Sequence, residues 1–143
     1  MKRRVGKPSP AVLNRLLSGG TGHPSPALRL GPGAGLDAAI LDLGAGRVMA
    51  VAEDPIFPAL GLPLAMMGEF TVHIGASDVA VTGIRPRYMT YTLLLPSAAP
   101  ISDARTIIRS ISRAAGRLGI SIVGGHTGWY DAVNLPIVGG VTV

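Results

Sequence analysis

Apolar positions recur at two different periods along the chain, and the change of period divides it into elements. The sharpest pattern lies at 102–119. Ile107, Ile108, Ile111, Ala115 and Leu118 form one stripe, while Arg105, Arg109, Arg113 and Arg117 recur every fourth residue on the solvent side. This predicts an amphipathic helix, capped by Ser102-Asp103 and ended by Gly119. From about Pro63 to Val81 the chain is apolar almost throughout. Leu64, Met67, Phe70, Ile74 and Ala76 fit helical spacing better than period two, which predicts a mostly buried helix ending at Gly83. Pro10 to Leu17 predicts a short amphipathic helix stopped by Gly19-Gly20.

Between these segments the pattern is that of strands. Ala38–Leu43 and Arg47–Glu53 flank Gly44-Ala45-Gly46, a hairpin turn by length and composition. Arg87–Leu95 alternates β-branched and apolar residues, Ile120–Val123 reads as a short buried strand, and Pro136–Val143 as a last one. Residues 19–35, with Pro24, Pro26 and Pro32 among glycines, read as loop. The order β-β-α-β-α-β-β predicts an α/β (α+β) fold, a mixed sheet with helices packed on one face, over residues 31–143. Residues 1–30 are expected to form a basic, flexible amino-terminal arm with one short helix. The sequence stops within the apolar segment Ile137–Val143, as expected of a domain cut from something longer or of a strand that sits in an interface.

Composition narrows the class. At 143 residues, 48% hydrophobic and with a mean hydropathy of +0.43, the chain has a core to bury and is no disordered polymer. A membrane span needs ~20 consecutive apolar residues; the long uncharged stretches are shorter and broken by Pro58, Pro63, Pro96 and Pro100. No apolar signal-type run follows the basic start, so a cytoplasmic protein is expected. There is no cysteine, which excludes disulfides and thiol catalysis. Glutamine is absent and asparagine occurs only as Asn14 and Asn134, a shortage of thermolabile residues that fits a thermophile.

Charge is unevenly placed. Residues 1–30 hold six basic residues and no acid, whereas residues 31–143 hold seven arginines and eight acids, a charge of −1. A basic arm can recruit nucleic acid, lie over a nucleotide's phosphates, or be a solvated tail. Six aromatics and no recognition-helix or RNA-module pattern speak against nucleic acid.

Four spots could carry chemistry. In Gly31-Pro-Gly-Ala-Gly-Leu-Asp37, glycines such as Gly33 and Gly35 let backbone amides approach phosphate oxygens, and Asp37 can hold a Mg²⁺ that bridges them. No Gly-Lys-Ser/Thr follows, so this is not a Walker A loop. Asp54, beside Glu53 at the end of a strand, offers with Asp37 a second hard-oxygen ligand. Asp78 lies in an apolar context, where a carboxylate must be paired, hydrogen-bonded or metal-bound. Gly124-Gly125-His126-Thr127 reads as a tight turn presenting a histidine and a hydroxyl. The bland readings are a Gly/Pro connector for the first and a solvent-exposed strand end for the second. His73 reads as a satisfied core or interface histidine, His23 as solvated, and Trp129 and Tyr130 as lining a pocket or covering a sheet edge.

Taken in order, these features resemble the AIR synthase superfamily, which includes aminoimidazole ribonucleotide synthase, selenophosphate synthetase, thiamine-monophosphate kinase and the hydrogenase-maturation protein HypE. The family's Gly-Asp-Asp-Ala-Ala segment is seen as Gly35-Leu36-Asp37-Ala38-Ala39, and its Asp after the second strand as Asp54. Its helix end, Asn/Ser-Asp-hydrophobic-Ala-x-x-Gly-x-x-Pro, is seen as Ser77-Asp78-Val79-Ala80-Val81-Thr82-Gly83-Ile84-Arg85-Pro86, and its Gly-Gly-Asp/Glu-Thr turn as Gly124–Thr127. The resemblance covers about residues 31–143. It implies ATP bound through Mg²⁺ ions on Asp37, Asp54 and Asp78, with Gly33, Gly35, Gly124, Gly125, His126, Thr127 and Lys7 around the nucleotide and Arg4 near its phosphates. It also implies a homodimer whose sheets meet across the two-fold, and an ATP-dependent phosphotransferase or ligase-type reaction. Leu36 and His126 replace family acids, and the family's carboxyl-terminal domain has no counterpart, so a separate carboxyl-terminal-half partner is expected. An alternative is a non-catalytic dimeric interaction module with an eroded nucleotide site.

Overall fold

The computed structural model describes residues 5–58 and 61–143, which fall into two compact units divided after Ala50. In the first unit, α1 (Pro10–Leu17) starts on a proline at its first position, where the missing N–H costs nothing, and none of its residues is buried. Three antiparallel strands follow in the order β1 (Leu28–Leu30), β2 (Ala39–Gly44), β3 (Arg47–Val51). The β2–β3 turn is the predicted Gly44-Ala45-Gly46, all three with positive φ. Strand β1 falls in a stretch read as loop. Three residues carry no periodic signal, and pairing of Leu28 with Leu41 and Leu30 with Ile40, plus an Arg29–Asp42 ion pair, makes the strand. Arg29, and then the Gly44 amide, hold the Asp42 carboxyl below its ordinary pKa.

The predicted strand Arg47–Glu53 is divided. β3 belongs to the first sheet, and β4 (Glu53–Ile56) belongs to the second, whose order is β4-β7-β5-β6. Ala52, between them, exchanges both backbone hydrogen bonds with Val143 at 3.0 Å. The second unit continues with a 3₁₀ turn (Leu64–Met66), α2 (Met67–Ala80), β5 (Tyr88–Pro96), α3 (Ile101–Leu118), β6 (Ser121–Tyr130) and β7 (Ile137–Thr142). β5 and β6 run parallel, joined by α3 as a crossover helix, while β7 is antiparallel to both β4 and β5. With β1 and the β3/β4 division added, the predicted order holds.

β5 shows why the helices lie on one face. Met89, Tyr91, Leu93 and Leu95 are buried while Thr90, Thr92 and Leu94 between them are half-buried, the alternation of a strand with two unequal faces. The buried side meets Met67, Val72 and Ala76 of α2, Ile107 and Ile111 of α3, and Val138 and Val141 of β7. α2 buries only part of the stripe expected of it, Met67 and Ala76 but not Phe70 and Ile74. Its inner face is largely small, with Gly68, Thr71, Gly75 and Ala76, and it turns Phe70 and Ile74 outward. Small residues win because α2 must approach α3 closely: a Cβ on Gly68 would sit 2.2 Å from the Ser110 carbonyl carbon.

Two expectations about α3 and β6 are corrected. α3 begins at Ile101 with Pro100 as its N-cap, so Ser102-Asp103 lie inside the first turn and make no capping bond from their side chains. Gly119, with φ +69°, does end it. The short buried strand 120–123 is a ten-residue edge strand, exposed along nearly all its length, because β5 covers one of its edges and no strand among the described residues of the unit pairs with the other. Among the described residues no helix is long and apolar enough to cross a membrane.

The α2–α3 crossing yields a test. Gly68→Ala forces a methyl into the α3 backbone and is expected to cost about 3 kcal/mol, measured by chemical denaturation. A loss under about 1 kcal/mol would show that the helices can separate there without penalty.

Candidate functional site

In the first unit, the loop before β2 carries the glycine-rich spot. Asn14 of α1 accepts the Ala34 amide through Oδ1 at 3.3 Å, and the Leu36 amide turns back onto the Gly33 carbonyl at 3.3 Å. Gly35 holds φ +85°, a conformation that favours glycine. The loop is thus shaped by one side chain and one local turn, and it leaves Asp37 exposed just ahead of β2. Lys7 is exposed as well. Arg4, expected near the phosphates, lies outside the described residues.

In the second unit, α2 packs against β4 and β7, so Asp54 and Asp78 belong to neighbouring elements. Asp54 pairs in register with Val141, whose side chain lies buried under α2. Asp78 is half-buried rather than enclosed, and Ser77 Oγ donates to its Oδ1 at 3.2 Å. An apolar sequence context overstated its burial because α2 keeps one side open. Glu53, next to Asp54, takes the other face of the strand: it accepts Thr142 Oγ1 at 3.3 Å and lies across Gly140. Within each unit, no three His, Asp or Glu side chains among the described residues stand close enough to hold a metal by themselves.

Gly124-Gly125-His126-Thr127 is not a turn but the middle of β6. Met89 pairs with Ile122 and Thr90 with Gly124, so Val123 is an extra residue, a bulge. Just past it Gly125 has φ +145°, and a Cβ there would meet the Tyr91 carbonyl oxygen at 2.2 Å. His126 then lies opposite Thr92 on the sheet face away from the helices. Its Nε2 is 2.6 Å from Tyr130 Oη, and Tyr130 folds back across Gly128. Trp129 donates its indole N–H to the Ala99 carbonyl at 2.8 Å, tying the edge of the sheet to the loop before α3. His73 is no core residue. It is exposed on α2, 3.5 Å from Glu69.

The open sheet face therefore carries Glu53, Thr142, Thr90, Thr92, His126 and Tyr130 over a floor of Gly124, Gly128 and Gly140. Sequence reasoning did not single out Thr90, Thr92 or Thr142, and it met Glu53 and Tyr130 without placing them in this set. Only the register of four strands brings them to one face.

The family described as AIR synthase related protein, N-terminal domain, matches residues 35–143. The chain belongs to this family. Carbamoyl dehydratase HypE of Azotobacter vinelandii is 32% identical over 91 residues, 64% of this chain and 27% of that protein. Among solved structures, the hydrogenase maturation protein HypE in complex with ATP is 27% identical, with a TM-score of 0.56 over 90% of this chain and 38% of that one. AaThiL complexed with AMPPCP and TMP shares the fold at 16% identity and a TM-score of 0.71, over 92% of this chain and 39% of that one. The chain spans about a quarter of the length of the curated relatives it matches.

Gly125 gives the site its own test. Gly125→Ala is expected to cost about 2–4 kcal/mol in chemical denaturation, because the backbone is strained for any side chain and Tyr91 leaves no room. Gly124→Ala, which meets only the Thr90 methyl at 3.5 Å, serves as the mild control. Equal losses for the two would contradict the bulge geometry.

Proposed function

We propose that this AIR synthase-type domain binds ATP with Mg²⁺, and that it serves a HypE-like activity in which ATP phosphorylates or activates a small substrate. The observation that carries the reading is the likeness to HypE in its ATP complex, at 27% identity over 90% of the chain. Asp37, Asp54 and Asp78 are the proposed Mg²⁺ ligands. Their carboxylates suit a hard cation that takes one or two carboxylates and fills its remaining positions with phosphate oxygens and water. When bound, the metal neutralises charge on the phosphates. Gly33 and Gly35 offer backbone amides to phosphate oxygens, Lys7 a cation, and Gly124, Gly125, His126 and Thr127 the β6 side of the nucleotide. His126, where the family carries an acid, contributes a hydrogen-bonding imidazole rather than a Mg²⁺ ligand.

Two partners complete the proposal. The open, glycine-floored sheet face, with Leu94 and Ile137 half-buried on β5 and β7, is suited to a second copy of the chain. Catalysis needs the part that the relatives carry beyond the matched region, in the same polypeptide or a separate one. A second reading, a dimeric interaction module without nucleotide, is favoured by Leu36 in place of an acid and by the engagement of His126 with Tyr130.

Isothermal titration with a non-hydrolysable ATP analogue and Mg²⁺ tests the choice. The wild type is expected to bind, Asp37→Ala and Asp78→Ala each to weaken binding at least about tenfold (~1.4 kcal/mol), and His126→Asp to tighten it. Circular dichroism checks that each variant stays folded. Absent binding, or binding indifferent to both alanine variants, would leave the interaction module, provided light scattering shows a dimer.

A further inference from the structure

The outer ridge of α3 has no role in the nucleotide reading. Arg105, Arg109, Arg113 and Arg117 are all exposed and follow one another at four-residue spacing. At 1.5 Å per residue they stand about 6 Å apart along the axis, ~18 Å end to end. Arg117 is engaged: its guanidinium meets Glu69 of α2 and holds that carboxyl below its ordinary pKa. The other three have no ion-pair or hydrogen-bond partner among the described residues.

Such a row works against the helix that carries it, because like charges at i, i+4 repel. The core does not require it either. α3 is anchored through Ala104, Ile107, Ser110, Ile111, Ala114 and Ala115 on its opposite side. Nor does it follow from a generally basic protein, since residues 31–143 sum to −1. Fold stability would favour an acid at 109, between two arginines one turn away on either side.

We propose that this ridge docks an acidic helical segment of a partner protein, with carboxylates at matching four-residue spacing. Arginine suits that partner, since its planar fork takes a carboxylate through two parallel hydrogen bonds. A nucleic acid fits less well: α3 carries no aromatic side chain on which bases could stack, and its first turn bears Asp103. This inference stands independently of the nucleotide reading.

The experiment uses a fluorescent Ala-based helical peptide with Glu at every fourth position, a scrambled peptide of the same composition, and a 20-base-pair DNA duplex. The chain is expected to bind the patterned peptide, more weakly as salt rises from 50 to 200 mM, and at least tenfold more tightly than the scramble. Arg109→Glu is expected to lose that binding at least tenfold while raising the melting temperature by a few degrees, because it exchanges two repulsive i, i+4 pairs for two attractive ones. Peptide binding that is absent, blind to pattern or unchanged in Arg109→Glu overturns the proposal. So does tighter binding of the duplex, which would make the ridge a nucleic-acid surface. A lower melting temperature for Arg109→Glu would show that the arginine serves the fold, and overturns it as well.

Discussion

Met89, Leu93 and Leu95 of β5 lose nearly all contact with water against α2 and α3, and the other elements of the second unit are placed around that burial. Each such side chain is worth about 1.5–3 kcal/mol relative to exposure, so a one-residue slip of β5 would turn the whole set out to solvent. β7 and β6 take their registers from β5, β4 takes its own from β7, and the helices close over the one face that must be dry. The close approach of α2 to α3, at Gly68 and Ser110, follows from the same need: two helices must share the width of a four-stranded sheet.

Covering one face leaves the other to be used. Its half-buried threonines and Leu94 are neither a sealed core nor a fully polar surface, and glycines on β6 and β7 lower the floor beneath Tyr130 and Glu53. A flat, small-residue surface of this kind suits the close approach of another backbone or of a ligand. Glu53 and Asp54 show how finely this is divided. Adjacent in sequence, they serve opposite sides of β4, one beside Thr142 and the other in register with buried Val141. The bulge at Val123 does similar work on β6, setting His126 opposite Thr92 and within reach of Tyr130.

α3 joins the two themes. Its inner stripe is fixed by the core, whereas Arg105, Arg109 and Arg113 on its outer stripe make no contact that the fold requires; Arg117 alone of that row is tied to α2, through Glu69. α2 contrasts with it. Apolar residues occur on both its sides, Val72 and Val79 inward and Phe70 and Ile74 outward, and this even distribution made its buried face hard to assign.

The amphipathic periods of α3 and β5, the proline start of α1 and the glycine turn between β2 and β3 were legible in the sequence, because each depends on residues within a few positions of one another. So was the family, because its motifs are short and ordered. Tertiary structure alone decided what depends on distant pairing. Three residues become β1 only against β2, one predicted strand is divided between two sheets at Ala52, and Gly124–Thr127 is a strand rather than a turn because β5 runs beside it. The same distinction applies to the site. Residue type marked Asp37, Asp54, Asp78 and His126 as chemistry-bearing, whereas burial, strand register and the hydrogen bond to Tyr130 set what surrounds them, since those depend on contacts between segments far apart in the chain.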